Sequence, residues 1–514
     1  MRFQSYGDST LVVEQTQIVG SRPTGVTDIV PAFGSCAVHF DPTLTSLVAV
    51  ATWLDSISSD SLARGDTKLA ELSIAYGGEF GPDLESIASR AGLAADEVIR
   101  RHAAAEYRVG AIGFQPGFPY LEGLPAELHT PRQATPRTRV AAGSVGIGGP
   151  YTGVYPSESP GGWNLIGRTP LTLFDPLRAE PSLLRTGDRV RFRPIDAEEF
   201  ARLAAESAPT PPPVTVPPER PLFRVISPGV QTTVQGLGRF GQQHLGVGPG
   251  GAMDTRSLRL ANLLVGNDQA APAIEATLVG PVLECLEAVT VGVAGALPSA
   301  RRLRFNEGQQ IDLRQLTGGA RAYLALPGGV TGEVGEPLRA NRTIGSLAPS
   351  QVDLRNREPL GKATLGSVAW PLPAGEVTLR VLPGPDAPRF SEEALDRLRQ
   401  TEWTITPQSN RMGLRCDGPP LDAPADDDAP SQPVVTGAVQ VPPDGQPIVL
   451  AADRQTLGGY PVIGVVASVD WPRLGQLRPD DTFRFEPIDL PTAQRLRRQA
   501  EREIAIAAVG LRLS

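Results

Sequence analysis

The sequence predicts a mainly β protein made of duplicated β units, with a few helices set between them. Three observations lead there. Glycine and proline account for 55 and 51 of 514 residues, crowding into short segments where positive φ at one and fixed φ at the other make tight turns. Polar and apolar residues alternate with period two along Arg189-Val190-Arg191-Phe192-Arg193 and again along Thr482-Phe483-Arg484-Phe485-Glu486, the pattern of a strand with one wet face. Those two segments also belong to an internal repeat. Gly161-Gly162-Trp163-Asn164-Leu165-Ile166-Gly167 parallels Gly458-Gly459-Tyr460-Pro461-Val462-Ile463-Gly464, and residues 186–196 parallel residues 479–489 at nearly the same offset, which indicates two copies of one design.

Helices follow in order from caps and stops. Pro82 to Arg90 and Ala95 to Ala105 read as a helical pair, with Glu79 and Asp83 beside the first turn and His102 on a face of the second. Asp196 caps Ala197 to Ala205, Asp254 caps Thr255 to Val265 ahead of Gly266, and Ser391 caps Glu392 to Gln400. Asp489, with Pro491 near the first turn, starts the last helix. Residues 207–221 are proline-rich and predict an extended spacer. Residues 419–433, which hold Asp426-Asp427-Asp428 among prolines, predict a solvated loop.

Length and composition bound the function. A chain of 514 residues with 40% apolar residues supports three to four domains with ordinary cores. It has no apolar run of the 18 to 20 residues that would span a bilayer, so a cytoplasmic protein off the membrane is expected. A net charge of −8 disfavours a nucleic-acid partner, since phosphate neutralisation needs a basic face. Cys36, Cys285 and Cys416 are far apart, which predicts buried thiols rather than a disulfide framework or a zinc site. No metal-ligand spacing is present. The two lysines, Lys68 and Lys362, are not followed by Ser or Thr, so the chain has no phosphate-binding P-loop. Gly236-x-Gly238-x-x-Gly241 and Gly246-x-Gly248-x-x-Gly251 fit the dinucleotide pattern formally. Neither joins a clear strand to a helix, so both read as loops.

Candidate binding residues fall in two groups, with Glu79 and Asp83 as further candidates beside the helix from Pro82, where the helix dipole is a sufficient structural reason for Asp83. Arg132, Arg137, Arg139 and Arg168 lie in turn-rich sequence, and guanidinium forks match carboxylate or phosphate in a bidentate way. They predict an anion site, with capping of carbonyls or surface pairing as the alternative. In the second half Asn410, Arg411, Asp444, Asp453, Arg454 and Gln455 combine carboxylates, amides and guanidinium groups. Asp453-Arg454-Gln455 is the leading ligand-contact candidate, and an internal Asp–Arg brace is the alternative. His244 has the best claim among four histidines because it sits in a Gly-Gln-Gln-His-Leu-Gly loop.

Several stretches resemble a known family. Residues 76–84, Gly113-Phe114-Gln115-Pro116-Gly117-Phe118-Pro119-Tyr120-Leu121 and residues 159–168 resemble the B subunit of bacterial ATP-dependent 5-oxoprolinase, whose family includes the Kip kinase inhibitors and half of the urea carboxylase carboxyltransferase domain. Residues 228–263, 409–413 and 440–461 resemble the C subunit of the same enzyme. The resemblance implies B and C fused in that order. It implies a small α/β domain over 1–70, a cyclophilin-like β-barrel over 71–206, the linker 207–221, a first β-rich domain of the C half over 222–375, and a second cyclophilin-like barrel with a C-terminal helix over 376–514.

By the same resemblance the complex hydrolyses 5-oxo-L-proline to L-glutamate, an EC 3.5.2-type amide hydrolysis that uses ATP, with Mg accompanying the nucleotide. It needs a separate A subunit that this chain lacks. A Kip-type regulator of a histidine kinase and a carboxyltransferase-like component of urea or allophanate metabolism are the alternatives. No Met-Lys-Met-like site for attached biotin is present, and a homo-oligomer stays open. The sequence departs from the family pattern at Gly236, where aspartate is usual, at Thr436, where proline is usual, and at Val462, where a basic residue is common.

Overall fold

The computed structural model describes residues 3–14, 18, 21–57, 67–207, 218, 220–347, 377–424 and 431–513. Most of the proline-rich spacer and the Asp426-Asp427-Asp428 run lie outside the described residues.

Two seven-stranded barrels carry the fold, and they close in the same order. In the first, Leu69–Tyr76 lies parallel to Arg189–Ile195, and the ring continues antiparallel through Tyr107–Ile112, Pro119–Glu122, Tyr151–Val154, Ser144–Gly148 and Asn164–Arg168 back to Leu69–Tyr76. In the second, Val377–Pro383 lies parallel to Thr482–Pro487, followed by Trp403–Ile405, Gly413–Asp417, Ile448–Leu450, Ala438–Gln440 and Val462–Val466. The repeat read from the sequence is thus a repeat of topology: Asn164–Arg168 and Val462–Val466 occupy equivalent places in the two rings. Closure leaves no free sheet edge in either barrel.

The alternating strands behave as their pattern requires. Val190 and Phe192 are buried while Arg189 and Arg191 are exposed, and Phe483 and Phe485 are buried between Thr482 and Glu486. Inside the second barrel Phe483 meets Phe485 edge to face at 5.0 Å, with Trp403 and Leu379 fully buried beside them. His102, in the helix Ala95–Ala104, is buried and stacks on Phe192 at 4.6 Å.

A four-stranded sheet precedes the first barrel. Phe3–Ser5, Thr10–Val13, Ser35–Phe40 and Val26–Ala32 pair in that order, and the last joins the barrel strand Tyr107–Ile112 through Ala32 and Ala111. The helix Leu47–Ser56 belongs to this unit, its first turn capped by Ser46. Residues 220–347 form a second non-barrel body of a four-stranded and a five-stranded sheet. On this body packs the helix Thr255–Leu264, capped by Asp254 as expected. The C-terminal helix Leu490–Leu513 returns to it, where Arg259 forks onto Glu501 at 2.8 and 2.7 Å. No helix among the described residues is long and apolar enough to cross a membrane.

The two halves are fastened by buried polar contacts. Asp8 accepts from the Ser468 hydroxyl at 2.7 Å and from its amide at 3.1 Å. Asp28 accepts from the amides of Gly241 and Gln243 at 2.8 and 3.1 Å, and the Gly117 amide donates to the Leu245 carbonyl at 2.8 Å. Gly246 makes this approach possible. Its φ is +80°, and a Cβ there would press on the Gln115 carbonyl oxygen across the interface.

Candidate functional site

Where the N-terminal sheet, the loops of the middle body and the second barrel meet, they line a partly open cavity of about 400 Å³. The strands Thr10–Val13 and Ser35–Phe40 bring Thr10 and His39 to one wall. The glycine-rich loop between Gln235 and Thr255 supplies Leu237, Phe240, Gln243 and Met253, and the second barrel supplies Thr436, Arg454, Trp471 and Leu474. The two rejected glycine patterns fall in this loop, but the loop glycine that lines the cavity, Gly250, belongs to neither set of patterned glycines.

Arg454 dominates the polar part of the lining. It is 3% exposed, and its donors reach Gln243 Oε1 at 2.7 Å, the Gln455 carbonyl at 3.0 Å and Thr436 Oγ1 at 3.2 Å. All three acceptors are neutral. Among the described residues no carboxylate lies within ion-pair distance of it; Asp28 acts on it from farther off, with its own oxygens held by the Gly241, Gln243 and Ile29 amides. Burial lowers the Arg454 pKa to about 10, with Tyr6 and Asp28 opposing, because a charged group loses hydration in the interior. His39 faces the same cavity. Its Nδ1 is 2.9 Å from the Thr10 hydroxyl, and its Nε2 is buried without a hydrogen-bond partner. Burial drives its pKa to about 3, helped by nearby Arg454 and opposed by Asp28, so this ring is neutral at pH 7.

The residues singled out from sequence divide among several places. Arg454 and His244 are at the junction, where His244 Nδ1 stands 3.9 Å from Asp28 Oδ1. Asp453 and Arg454, adjacent in sequence, face different partners. Asp453 pairs with Arg411, whose Nε and Nη2 lie 2.7 and 3.0 Å from its oxygens. Arg411 also donates to the Gly251 carbonyl at 2.6 Å and to Glu275. The brace considered for Asp453 therefore exists, but it runs to Arg411 and ties the second barrel to the middle body. Gln455 contributes its carbonyl to Arg454. Asn410 and Asp444 are exposed turn residues that accept from the amides of Met412 and Gln446.

The arginines of the first barrel have separate partners. Arg137 donates to Asp83 at 2.7 Å, Arg139 pairs with Glu158 at 2.7 Å on the surface, and Arg168 donates to the Ala142 carbonyl at 2.8 Å with its guanidinium 6.0 Å from the Phe200 ring centre. Arg132 and Arg137 both act on Tyr155, whose phenol burial raises to about 12 while the two cations pull it back. Glu79 is exposed in the turn after Tyr76. Asp83 stands beside the first helical turn, where its sequence position places it. It sits at the cap position of the helix Leu84–Ala91, yet its side chain makes no cap bond; it holds Arg137 and the Leu165 amide, the latter at 2.6 Å. Two contacts across the barrel outweigh one helix-end amide.

Sequence reasoning missed His39, Asp28, Gln243 and Met253. Nothing in their local spacing marks them: His39 meets Thr10 29 residues away, the Met253 amide meets Glu275 22 residues away, and Asp28 reaches the Gly241 and Gln243 amides 213 and 215 residues away. Thr436 did carry a signal, as a departure from family pattern, and its hydroxyl gives Arg454 an acceptor that proline lacks. Val462 is buried, with its amide donating to Asp386 at 2.9 Å. At Gly236 a Cβ would meet nothing closer than 3.6 Å, so the glycine is not imposed by space.

Comparison with known proteins agrees with this architecture. The model of the carboxyltransferase domain, subdomain C and D, matches residues 6–184, and that of subdomain A and B matches residues 245–487. The chain is 58% identical to the 5-oxoprolinase B subunit of Escherichia coli O157:H7 over 25% of its own length and 59% of the relative's. It is 35% identical to the 5-oxoprolinase C subunit of Escherichia coli strain K12 over 55% of its length and 96% of the relative's. The crystal structure of TTHA0988 matches with a TM-score of 0.79 at 32% identity, covering 93% of this chain and 99% of that one. The chain thus belongs to the carboxyltransferase-domain family that contains the B and C subunits of 5-oxoprolinase, with the B-like half ahead of the C-like half in one polypeptide.

Proposed function

We propose that the chain is the fused B–C component of an ATP-dependent 5-oxoprolinase, acting with a separate A subunit to open the lactam of 5-oxo-L-proline to L-glutamate. The carrying observation is that both halves align with proteins named for that enzyme and are joined through buried polar contacts beside a shared cavity. The contacts of Asp8, Asp28 and Gly117 across that junction favour one working body over two modules on a tether.

A ring amide is a poor electrophile, and ATP supplies the free energy for opening it. The cavity does not suit a magnesium triphosphate, because its lining is largely apolar and offers Arg454 and Arg497 as its only cations among the described residues. The nucleotide and its Mg are therefore assigned to another surface of the complex. The test mixes the full chain with a matching A subunit, 5-oxo-L-proline and ATP. Glutamate should form only when all four are present, and absence of glutamate from the complete mixture refutes the assignment.

A further inference from the structure

A buried cation facing an apolar cavity without a carboxylate partner is a costly arrangement unless something anionic enters. Arg454 is such a group. Of its five N–H donors, three are used on Gln243, Gln455 and Thr436, which leaves one hydrogen on each terminal nitrogen. His39 adds a second unmet demand in the same lining, since Nε2 is buried and unpartnered while Nδ1 is turned to the Thr10 hydroxyl. When that hydroxyl donates to Nδ1, the neutral ring presents Nε2–H as a donor. The rest of the lining is largely apolar, with Leu237, Met253, Trp471 and Leu474, and its other charged side chains are Asp41 and Arg497. A volume of about 400 Å³ lies at the small end of the ligand-pocket range.

We propose that the junction cavity binds a small monocarboxylate with a compact apolar body, its carboxylate held by the remaining N–H groups of Arg454 and by Nε2–H of His39. The inference rests on the function proposed above in that it assigns the ring acid, and not the nucleotide, to this cavity. It also explains the departure at position 436: a hydroxyl there holds Nε of Arg454 in place, so that its terminal nitrogens stay free for the ligand.

The experiment is calorimetric titration of the full chain with three probes: 5-oxo-L-proline, cyclopentanecarboxylate and the uncharged 5-oxo-L-prolinamide. The acids should bind, the amide at least about tenfold more weakly, and Arg454→Met should weaken the acids by about 30-fold or more, as expected when one partner of a buried charge pair is removed. Arg454→Lys should recover part of the loss. Comparison of acid with amide on the unaltered chain stands even where the Met variant fails to fold.

Equal binding of acid and amide overturns the proposal, as does a folded Met variant with unchanged affinity, or binding of neither acid. Arg454-dependent binding of cyclopentanecarboxylate without 5-oxoproline supports the site and counts against the 5-oxoprolinase reading. Glutamate formation by the complete enzyme with Arg454-independent binding keeps that reading and removes the site.

Discussion

Replacing Arg411 with methionine should cost about 3 to 5 kcal/mol of stability, the usual penalty for breaking a buried ion pair from one side. The magnitude follows from what is left behind. Arg411 is 5% exposed and Glu275 is 1% exposed. Methionine keeps much of the arginine stem but gives no donor to Glu275 Oε1, to Asp453 or to the Gly251 carbonyl. Glu275 Oε2 retains the Tyr323 hydroxyl at 2.7 Å and the Met253 amide at 2.9 Å, and Arg321 remains 4.0 Å from Oε1, which places the expected cost toward the lower end. Asp453 is 39% exposed and water replaces much of what it loses. Urea unfolding followed by tryptophan emission reports on this region, because Trp403 is buried in the adjoining barrel. Adding Glu275→Gln to Arg411→Met removes the stranded charge, so the double variant should be more stable than the sum of the single losses by about 1 to 3 kcal/mol. Strict additivity, or an Arg411→Met variant within about 1 kcal/mol of the parent, would refute the view that this ion network clamps the second barrel to the middle body.

Gly246→Ala should destabilise by more than about 2 kcal/mol, combining left-handed backbone strain with the press on Gln115, whereas Gly236→Asp should stay within about 0.5 kcal/mol; thermal melts showing the reverse order contradict the account of the junction. Asp83→Ala should cost about 2 kcal/mol by stranding Arg137 and the Leu165 amide together, and a loss no larger than that of a simple helix-cap change in the same melt would restore the local explanation. Stability should fall as pH drops from about 6.5 toward 3. Burial holds His102 near 3 against an ordinary histidine value of 6.5, so the unfolded chain binds the extra proton in that window, and the slope approaches about 1.4 kcal/mol per pH unit for each such histidine. Unfolding midpoints of His102→Gln across this window should show a shallower decline, with His39 maintaining part of it.

What could be read from the chain was local or periodic. Asp196, Asp254 and Ser391 cap the helices assigned to them because a cap involves residues three apart, and the wet-faced strands follow from a period of two. The duplication extended this reach, since matched segments located equivalent strands in the two barrels before any pairing was known. Side-chain partnerships did not follow from proximity in sequence. Asp83 reaches Leu165 in place of its own helix, and Asp453 and Arg454 point to different networks although they are neighbours. The four first-barrel arginines look alike in sequence, yet Arg132 and Arg137 act on Tyr155 while Arg139 pairs with Glu158 and Arg168 with the Ala142 carbonyl. Such choices depend on which acceptor a closed barrel brings near, and turn composition does not encode that.

The position of the cavity gives fusion of the halves a physical sense. Thr10 and His39 come from the B-like half, while Gln243, Thr436 and Arg454 come from two bodies of the C-like half. Separating the halves would remove His39 from the cavity and open the Arg454 guanidinium to water, where its attraction for a carboxylate falls with the rising dielectric. A ligand bridging His39 and Arg454 must conversely favour the assembled junction, by RT ln(1 + [L]/Kd) when it binds no separated form. At a hundredfold excess over Kd that linkage is about 2.7 kcal/mol, comparable to the predicted damage from Gly246→Ala. A saturating carboxylate should therefore restore much of the melting temperature lost by that variant, because the glycine and the ligand act on the same interface; a variant that binds the acid normally yet gains no thermal stability would show that closure of the halves and occupation of the cavity are independent.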